Sequence, residues 1–358
     1  MSWRVLLAIT LLGAFVAAIA FLDQGAAERG DAGYGVPING ERIPPAAMTV
    51  DATTCQECHP EIYAQWASSQ HHHAYLNPDV RETSADHTNQ NCIPCHAPRP
   101  VFELGLESMP RSRSTHREQG VSCLSCHLIP GSAAADGQPR LAGSRDLPAG
   151  TCGLPVVKTP SLGTYRSCEP CHNQHETTNQ WKETAYASEG PAFRSCADCH
   201  MERREFSIAK GSAPRLAWDH KMPGSHAREF ILSALDIEAR LDGSSLYVAV
   251  TNARAGHHFP TEERSRAVDV KVEWQDAEGR ALGEPQQLYR FRDPYRGEQG
   301  ITRTLLPHGQ TWSQTIEKGA QPAGAKKARV WIDYLRKPYE PVPDTHRFRL
   351  FERTVELP

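Results

Sequence analysis

The chain opens with an unbroken apolar run from Val5 to Leu22, led by Arg4 and closed by Asp23. An apolar run behind a positive charge reads as an export signal. In a helix it would reach roughly 27 Å, the short end of a membrane span. Ala18-Ile19-Ala20 also fits a small-x-small cleavage site, so residues 1–22 are either a removed signal peptide or an N-terminal membrane anchor. In both cases the rest of the chain is expected outside the cytoplasm, on the periplasmic face. Residues 23–50 are rich in Gly, Ala and Pro without a hydrophobic period and read as a flexible linker. Across 51–228 apolar positions are sparse. Short helices are expected after Cys58, around Thr177–Glu189 and before the histidines that follow cysteines, with loops elsewhere. Pro130–Gly163 is so dense in Gly and Pro that it reads as a loop. Beyond about 229 the period becomes two, clearest at Val268, Val270, Val272 and Trp274. Short strand-like segments at Ile231–Leu241, Leu246–Asn252, Val268–Gln275, Gln287–Phe291, Thr311–Glu317, Arg329–Leu335 and Arg347–Val355 predict an antiparallel β-sandwich, Ig-like, over 229–358.

The sparse middle of the chain holds almost all of its cysteine. Ten of the 11 cysteines fall into five copies of Cys-x-x-Cys-His: Cys55, Cys58 and His59; Cys92, Cys95 and His96; Cys123, Cys126 and His127; Cys168, Cys171 and His172; and Cys196, Cys199 and His200. Two thiols at this spacing can each form a thioether to one porphyrin, and the histidine reaches under the ring to bind iron. With 17 histidines in 358 residues, one after every pair by chance has a probability on the order of 10⁻⁷. Structural zinc of the four-cysteine kind would consume pairs two at a time and leave one over. The motifs therefore predict five covalently bound c-type haems, with a mainly irregular and short-helical fold at 51–228 in which the macrocycles supply the core. Export agrees, because covalent attachment of this kind is expected outside the cytoplasm; a disulfide framework is the competing reading for an exported cysteine-rich chain, and the regular motif argues against it. Cys152, outside the motifs, reads as a free thiol or an intermolecular disulfide.

A formal charge of −3 and the lack of a long basic run or a phosphate-binding glycine motif exclude nucleic acid as the expected partner. Twelve further histidines, His71, His72, His73, His87, His116, His175, His220, His226, His257, His258, His308 and His346, compete for the sixth position of each iron. That position decides function: two strong ligands make an electron carrier, and an open iron permits catalysis.

The run Cys55-Gln56-Glu57-Cys58-His59-Pro60-Glu61-Ile62-Tyr63 through His71, with Gly120–His127, Ser195–Met201, His220–His226 and Gly256–Thr261, resembles the multihaem c-type cytochromes. That family includes the tetrahaem electron acceptors of hydroxylamine oxidation and larger relatives with a β-rich C-terminal part. The likeness spans about residues 51–265, and beyond it only the strand-rich character is similar. It implies His71, His116, His220, His226 and His257 as distal ligands. His72 and His73 compete with His71, His87 with His116, and His258 with His257. Met201 and Met222 are possible sulfur ligands. His175 reads as a cap or solvated residue, and His308 and His346 as surface residues.

The leading expectation is an electron carrier, needing no small-molecule substrate, that passes charge between redox proteins in or on the membrane. One alternative is a multihaem reductase or oxidase of a small nitrogen or sulfur compound, with an open iron looked for at Cys123/Cys126. The other is a structural or docking component of an extracytoplasmic conduit, forming homo-oligomers or docking through its β-domain.

Overall fold

A computed structural model describes residues 51–261, 266–293, 299–300, 302–338 and 342–358, with a short ladder between β1 (Pro37–Ile38) and β2 (Glu41–Arg42). The expected signal or anchor at 1–22 and most of the expected linker lie outside the described residues. Among the described residues no helix is long and apolar enough to cross a membrane.

From residue 51 the chain makes a series of one- and two-turn helices. α1 (Ala52–Gln56) is capped by the Asp51 carboxylate, which accepts from the Thr53 N–H. α2 (Pro60–Ala67) starts on a proline, whose missing N–H costs nothing at that position. α3 (Gln70–His73) is capped by Ser69, and α4 (Pro78–Thr83) by Asn77. Then come α5 (Ile93–His96), α6 (Cys123–His127), α7 (Tyr165–His172), α8 (Thr177–Lys182), α9 (Cys196–His200) and α10 (Arg228–Ser233). Helices this short are not stable by propensity and need tertiary anchors.

The Gly- and Pro-rich stretch expected to be a loop is a small sheet. Its strands β3 (Leu128–Ile129), β4 (Arg140–Gly143), β5 (Leu147–Cys152) and β6 (Leu154–Lys158) lie in the order β3-β4-β6-β5. β4 and β6 run parallel, with Leu141 beside Val156. Leu141, Leu154, Val156 and Val157 supply strand-forming side chains between the breakers, and turn residues bound the strands rather than abolish them. A hairpin, β7 (Arg203–Phe206) with β8 (Arg215–Trp218), follows α9. Its connecting loop lies on the first motif, where the Lys210 N–H donates to the Cys58 carbonyl at 2.7 Å.

The C-terminal region is two antiparallel sheets around one core. One has the order β13-β10-β9, built from β9 (Leu235–Asp242), β10 (Ser245–Asn252) and β13 (Thr311–Ile316). The other has the order β12-β11-β14-β15, built from β11 (Ala267–Gln275), β12 (Gln286–Arg292), β14 (Lys327–Leu335) and β15 (Arg347–Glu356). Leu246, Val248 and Val250 from the first sheet and Val268, Val270, Val272, Val330 and Ile332 from the second are all 0% exposed. Each such side chain contributes about 1.5–3 kcal/mol on leaving water. The single strand expected at Ile231–Leu241 is instead α10 followed by β9. Phe230, Ile231 and Leu232 are consecutive apolar residues, and true alternation begins only at Leu235.

The two regions meet at a charged seam. Asp79 at the start of α4 lies 3.2 Å from Lys337, 3.1 Å from His346 Nε2 and 3.7 Å from Arg336, and Lys337 also reaches Glu82 at 2.6 Å.

Candidate functional site

Each Cys-x-x-Cys-His motif occupies about one helical turn that ends at or just before its histidine. The turn puts the two thiols, three residues apart, on one face, with the imidazole one residue further round. In the first motif the His59 N–H donates to the Cys55 carbonyl at 2.8 Å. In the second the Cys95 and His96 N–H groups both donate to the Cys92 carbonyl, at 3.3 and 3.2 Å. Cys168 and Cys171 of the fourth motif lie in the last turn of α7, next to His172. Two of the turns begin in capping boxes, Ser122 with Ser125 and Ser195 with Asp198, which satisfy N–H groups that so short a helix cannot satisfy itself.

None of the 11 cysteines is in a disulfide. Among the motif thiols Cys58 and Cys199 are exposed, whereas Cys95 and Cys171, the matching second cysteines of the second and fourth motifs, are half-buried, as are the other six. Cys55 hydrogen-bonds Cys123, and Cys168 hydrogen-bonds Cys196, so the first motif adjoins the third and the fourth adjoins the fifth. Burial, reinforced by Cys168, pushes the Cys126 thiol up to about 12.

Distant main-chain carbonyls hold four of the five motif imidazoles. Nδ1 of His59 donates to Ile208 at 2.5 Å, that of His96 to Ala74 at 2.9 Å, that of His127 to Ala142 at 2.9 Å and that of His200 to Pro223 at 2.8 Å. A carbonyl can only accept, so each Nδ1 carries the proton and each Nε2 keeps its lone pair. That is the arrangement an iron-binding imidazole requires. The small sheet thus has a task, because β4 presents the Ala142 carbonyl to His127.

Three motif imidazoles face a second imidazole. The ring centroids of His71 and His172 are 6.0 Å apart, those of His127 and His220 are 6.3 Å apart, and those of His200 and His257 are 6.3 Å apart. Two imidazoles sharing one metal, each with nitrogen about 2 Å from it and its ring centre about 1 Å further out, stand about 6 Å apart. Rings packed directly on each other come closer, as Tyr75 and His87 do at 3.9 Å. His220 and His257 repeat the Nδ1 pattern, donating to Trp218 at 2.9 Å and His258 at 3.0 Å. Burial, with His172 next in weight, pushes His71 down to about 3. Burial and then His127 push His220 down to about 4, and burial also lowers His127. Neutral imidazoles are what a metal binds. Among the described residues no three or more His, Cys, Asp or Glu gather as a bare metal site. The residues present fit covalent haem.

The other expected ligands lie elsewhere. His116 sits at φ +48° beside Glu118, 3.3 Å away, with its side chain 39% exposed. His226 accepts at Nδ1 from the Arg336 guanidinium at 2.7 Å. Because Arg only donates, this contact puts the His226 proton on Nε2, the tautomer opposite to that of the paired histidines. His72 leans on Trp66 at 4.4 Å, and His73 on the same helix is exposed. The His258 N–H donates to Gln180 Oε1 at 3.0 Å. Asn252, fully buried, donates to the His257 and Leu306 carbonyls at 2.8 and 3.0 Å and so holds the loop that carries His257. Met222 Sδ lies 2.6 Å from His71 Nδ1, behind the ring rather than at its Nε2. Met201 caps α9. His308 and His346, expected at the surface, are half-buried. His308 donates to the Ala255 carbonyl at 2.8 Å and packs on Tyr186, and His346 meets Asp79. His175 Nδ1 is buried and meets no partner among the described residues. Cys152 lies close enough to Cys58 and Cys55 for their charges to add to the burial that raises its thiol. One residue passed over in the sequence is Arg113, whose half-buried guanidinium donates to the Pro98, Thr115, His116 and Gly120 carbonyls and the Ser122 hydroxyl. It ties the segment between the second and third motifs to the start of α6.

Residues 54–128 match the family described as cytochrome c554 and c-prime. The fold is similar to the crystal structure of a penta-heme cytochrome c552 from Thermochromatium tepidum, with a TM-score of 0.61 and 18% identity over 85% of this chain and 98% of that one. At that identity the likeness is one of fold. No curated protein matched the chain.

Proposed function

We propose that this chain, whose residues 54–128 match the family of cytochrome c554 and c-prime, is a multihaem c-type cytochrome with covalently bound haems, a five-haem electron carrier working outside the cytoplasm between redox proteins. Each bound haem supplies a one-electron Fe(III)/Fe(II) couple. The chain's own residues do the rest. The cysteine pairs, from Cys55 and Cys58 through Cys92 and Cys95, Cys123 and Cys126, and Cys168 and Cys171 to Cys196 and Cys199, fix each macrocycle. The motif histidines His59, His96, His127, His172 and His200 present Nε2 to its iron. His71, His220 and His257 would supply the second imidazole to the irons of the fourth, third and fifth motifs. Burial lowers His71, His127 and His220 and so keeps those three imidazoles neutral. The thiol contacts between first and third and between fourth and fifth motifs favour neighbouring macrocycles, the arrangement a carrier needs. We read the two C-terminal sheets as an Ig-like β-sandwich domain that is fastened to the haem region through His257.

The observation that carries this reading is the set of three imidazole pairs 6.0–6.3 Å apart. Electron paramagnetic resonance of the purified holoprotein tests it, with at least three low-spin bis-imidazole signals expected. A spectrum dominated by high-spin iron, with carbon monoxide binding throughout after reduction, would refute it.

One observation favours a second reading, reduction or oxidation of a small nitrogen or sulfur compound. Among the described residues no second imidazole stands in the paired relation to His59. Its iron, rather than that of Cys123/Cys126, is then the place to look for an open coordination position. Carbon monoxide binding at one haem in five, abolished with the Cys55/Cys58 attachment, is the expected signature.

A further inference from the structure

At the seam between α4 and the C-terminal sheets, three permanent cations, Arg266, Arg336 and Lys337, meet two carboxylates. Lys337 takes both of these, Asp79 at 3.2 Å and Glu82 at 2.6 Å, and Glu82 is 77% exposed. Arg336 reaches Asp79 at 3.7 Å and spends its shorter contacts on His226 Nδ1 at 2.7 Å and the Thr345 carbonyl at 2.6 Å. Arg266 touches the Arg336 carbonyl at 3.4 Å through Nη1. Its Nε is buried and meets no acceptor, and among the described residues it faces no carboxylate. A guanidinium cannot shed its proton, so an N–H buried without an acceptor is costly and calls for an anion. The contact with Arg336 leaves His226 Nε2 as a second N–H donor beside it. Tyr334, also near Arg266, spends its hydroxyl on Ser225.

The seam adjoins the fifth motif. His226 follows by three residues Pro223, whose carbonyl holds His200, and precedes by four Phe230, whose ring lies 5.1 Å from that of His200. A porphyrin held at Cys196 and Cys199 would carry two propionate carboxylates, and a planar guanidinium is the side chain that suits a carboxylate.

We propose that Arg266, with Arg336 and the Nε2–H of His226, forms a carboxylate site that takes a propionate of the haem held by Cys196 and Cys199. It rests on the haem reading above, and a haem count kept alongside the test separates the two. The site assigns His226 a role toward the rim of a macrocycle rather than toward an iron.

The test uses Arg266→Gln in the holoprotein, with haem counted by pyridine haemochrome and the potentials read by spectroelectrochemical titration. Loss of a cation favours ferric iron. One of the five potentials is therefore expected to fall while the other four stay in place, and Arg266→Lys is expected to recover part of the shift. If Arg266→Gln does not fold, Arg266→Lys is compared with wild type directly, because it keeps the charge and loses the fork. Titration of wild type with inorganic phosphate distinguishes the source of the carboxylate-like oxygens. No saturable binding is expected if a propionate fills the site. Saturable phosphate binding that Arg266→Gln abolishes, with all five potentials unmoved, would assign the site to a free oxyanion and overturn the propionate. Unmoved potentials without phosphate binding would overturn the anion site altogether. A haem count short of five in wild type would instead strike the haem reading beneath it.

Discussion

Replacing His257 with alanine removes an imidazole whose ring centre lies 6.3 Å from that of His200. The gap fits one iron and no more, so the substitution takes away one ligand of one haem. Alanine stops at Cβ, and its neighbour cannot substitute for the lost ring, because the His258 N–H is held by Gln180. The loop itself should keep its place, since Asn252 grips the carbonyl of residue 257 and not its side chain. The expected loss is therefore the low-spin signal of one haem in the five that the motifs imply, with an equal high-spin gain and new carbon monoxide binding on reduction. His258→Ala is the control and should leave the spectrum unchanged. The assay is electron paramagnetic resonance of matched holoproteins at equal haem content. A wholly low-spin spectrum for His257→Ala, or the high-spin change appearing with His258→Ala instead, would refute the reasoning that joins the C-terminal sheets to the fifth haem.

Three other substitutions probe the supports. Gly120→Ala puts a Cβ 2.2 Å from the His71 carbonyl oxygen and 2.6 Å from that of His72, at φ +55°. It should cost about 2–4 kcal/mol and displace α3, read as a lower melting temperature with a selective change in the signal of the His71 haem. Arg113→Ala strips donors from several carbonyls at once and should cost about 2–4 kcal/mol, measured by denaturant unfolding of the holoprotein. Asp79→Asn weakens the seam. Its carboxyl is held below the usual value by the Lys337 hydrogen bond and charge, with His346 and Arg336 adding, against the opposing effect of burial. The stability it contributes is thus full above the unfolded value of about 3.9 and is lost as pH falls through the lower folded value. Wild type should exceed Asp79→Asn by about 1 kcal/mol near neutrality after solvent screening, and the two melting curves should converge in acid.

What could be read from the sequence was whatever a few covalent or periodic constraints dictate. The cysteine spacing carries attachment chemistry without any need for the fold. The alternation at Val268–Trp274 carries a sheet because one face is buried and the other is not. Ligand choice was harder to read. His71 and His73 stand on one turn, and only the packing of that turn against α7 directs the first inward. His226 and His220 flank the same Met-Pro-Gly segment, yet a guanidinium 110 positions away in the chain sets the tautomer of one of them. The carbonyls of Ala74, Ala142, Ile208 and Pro223 were beyond any sequence reading. Every residue offers a carbonyl, so the acceptor role leaves no mark on side-chain identity. The sheet at 128–158 was missed for a related reason, since Gly and Pro mark where strands end as often as where they are absent.

As proposed iron ligands, the three imidazole pairs would also account for how the middle of the chain can be ordered with so little apolar core. There the buried hydrophobic residues are scattered, Trp66, Ile93, Val101, Leu128 and Trp181 among them, whereas the C-terminal sheets share one contiguous cluster. In the proposed assignment each pair joins positions about 60 to 100 residues apart through an iron that is itself tied to the chain by thioethers. A cross-link closing a loop of that length restricts the unfolded chain by about 4 kcal/mol on the chain-entropy argument used for disulfides. Three of them supply stabilisation of the order that a small core would otherwise provide. The His200–His257 pair is distinct among the three because it reaches outside the haem region. Order in the haem region then depends on axial ligation as much as on attachment. A double His71→Ala, His220→Ala variant should keep its full haem count yet lose protease resistance across residues 51–228 while the C-terminal sheets stay protected. Uniform protection across the whole variant would show that the macrocycles order the chain by bulk alone and that the imidazole bridges contribute nothing to the fold.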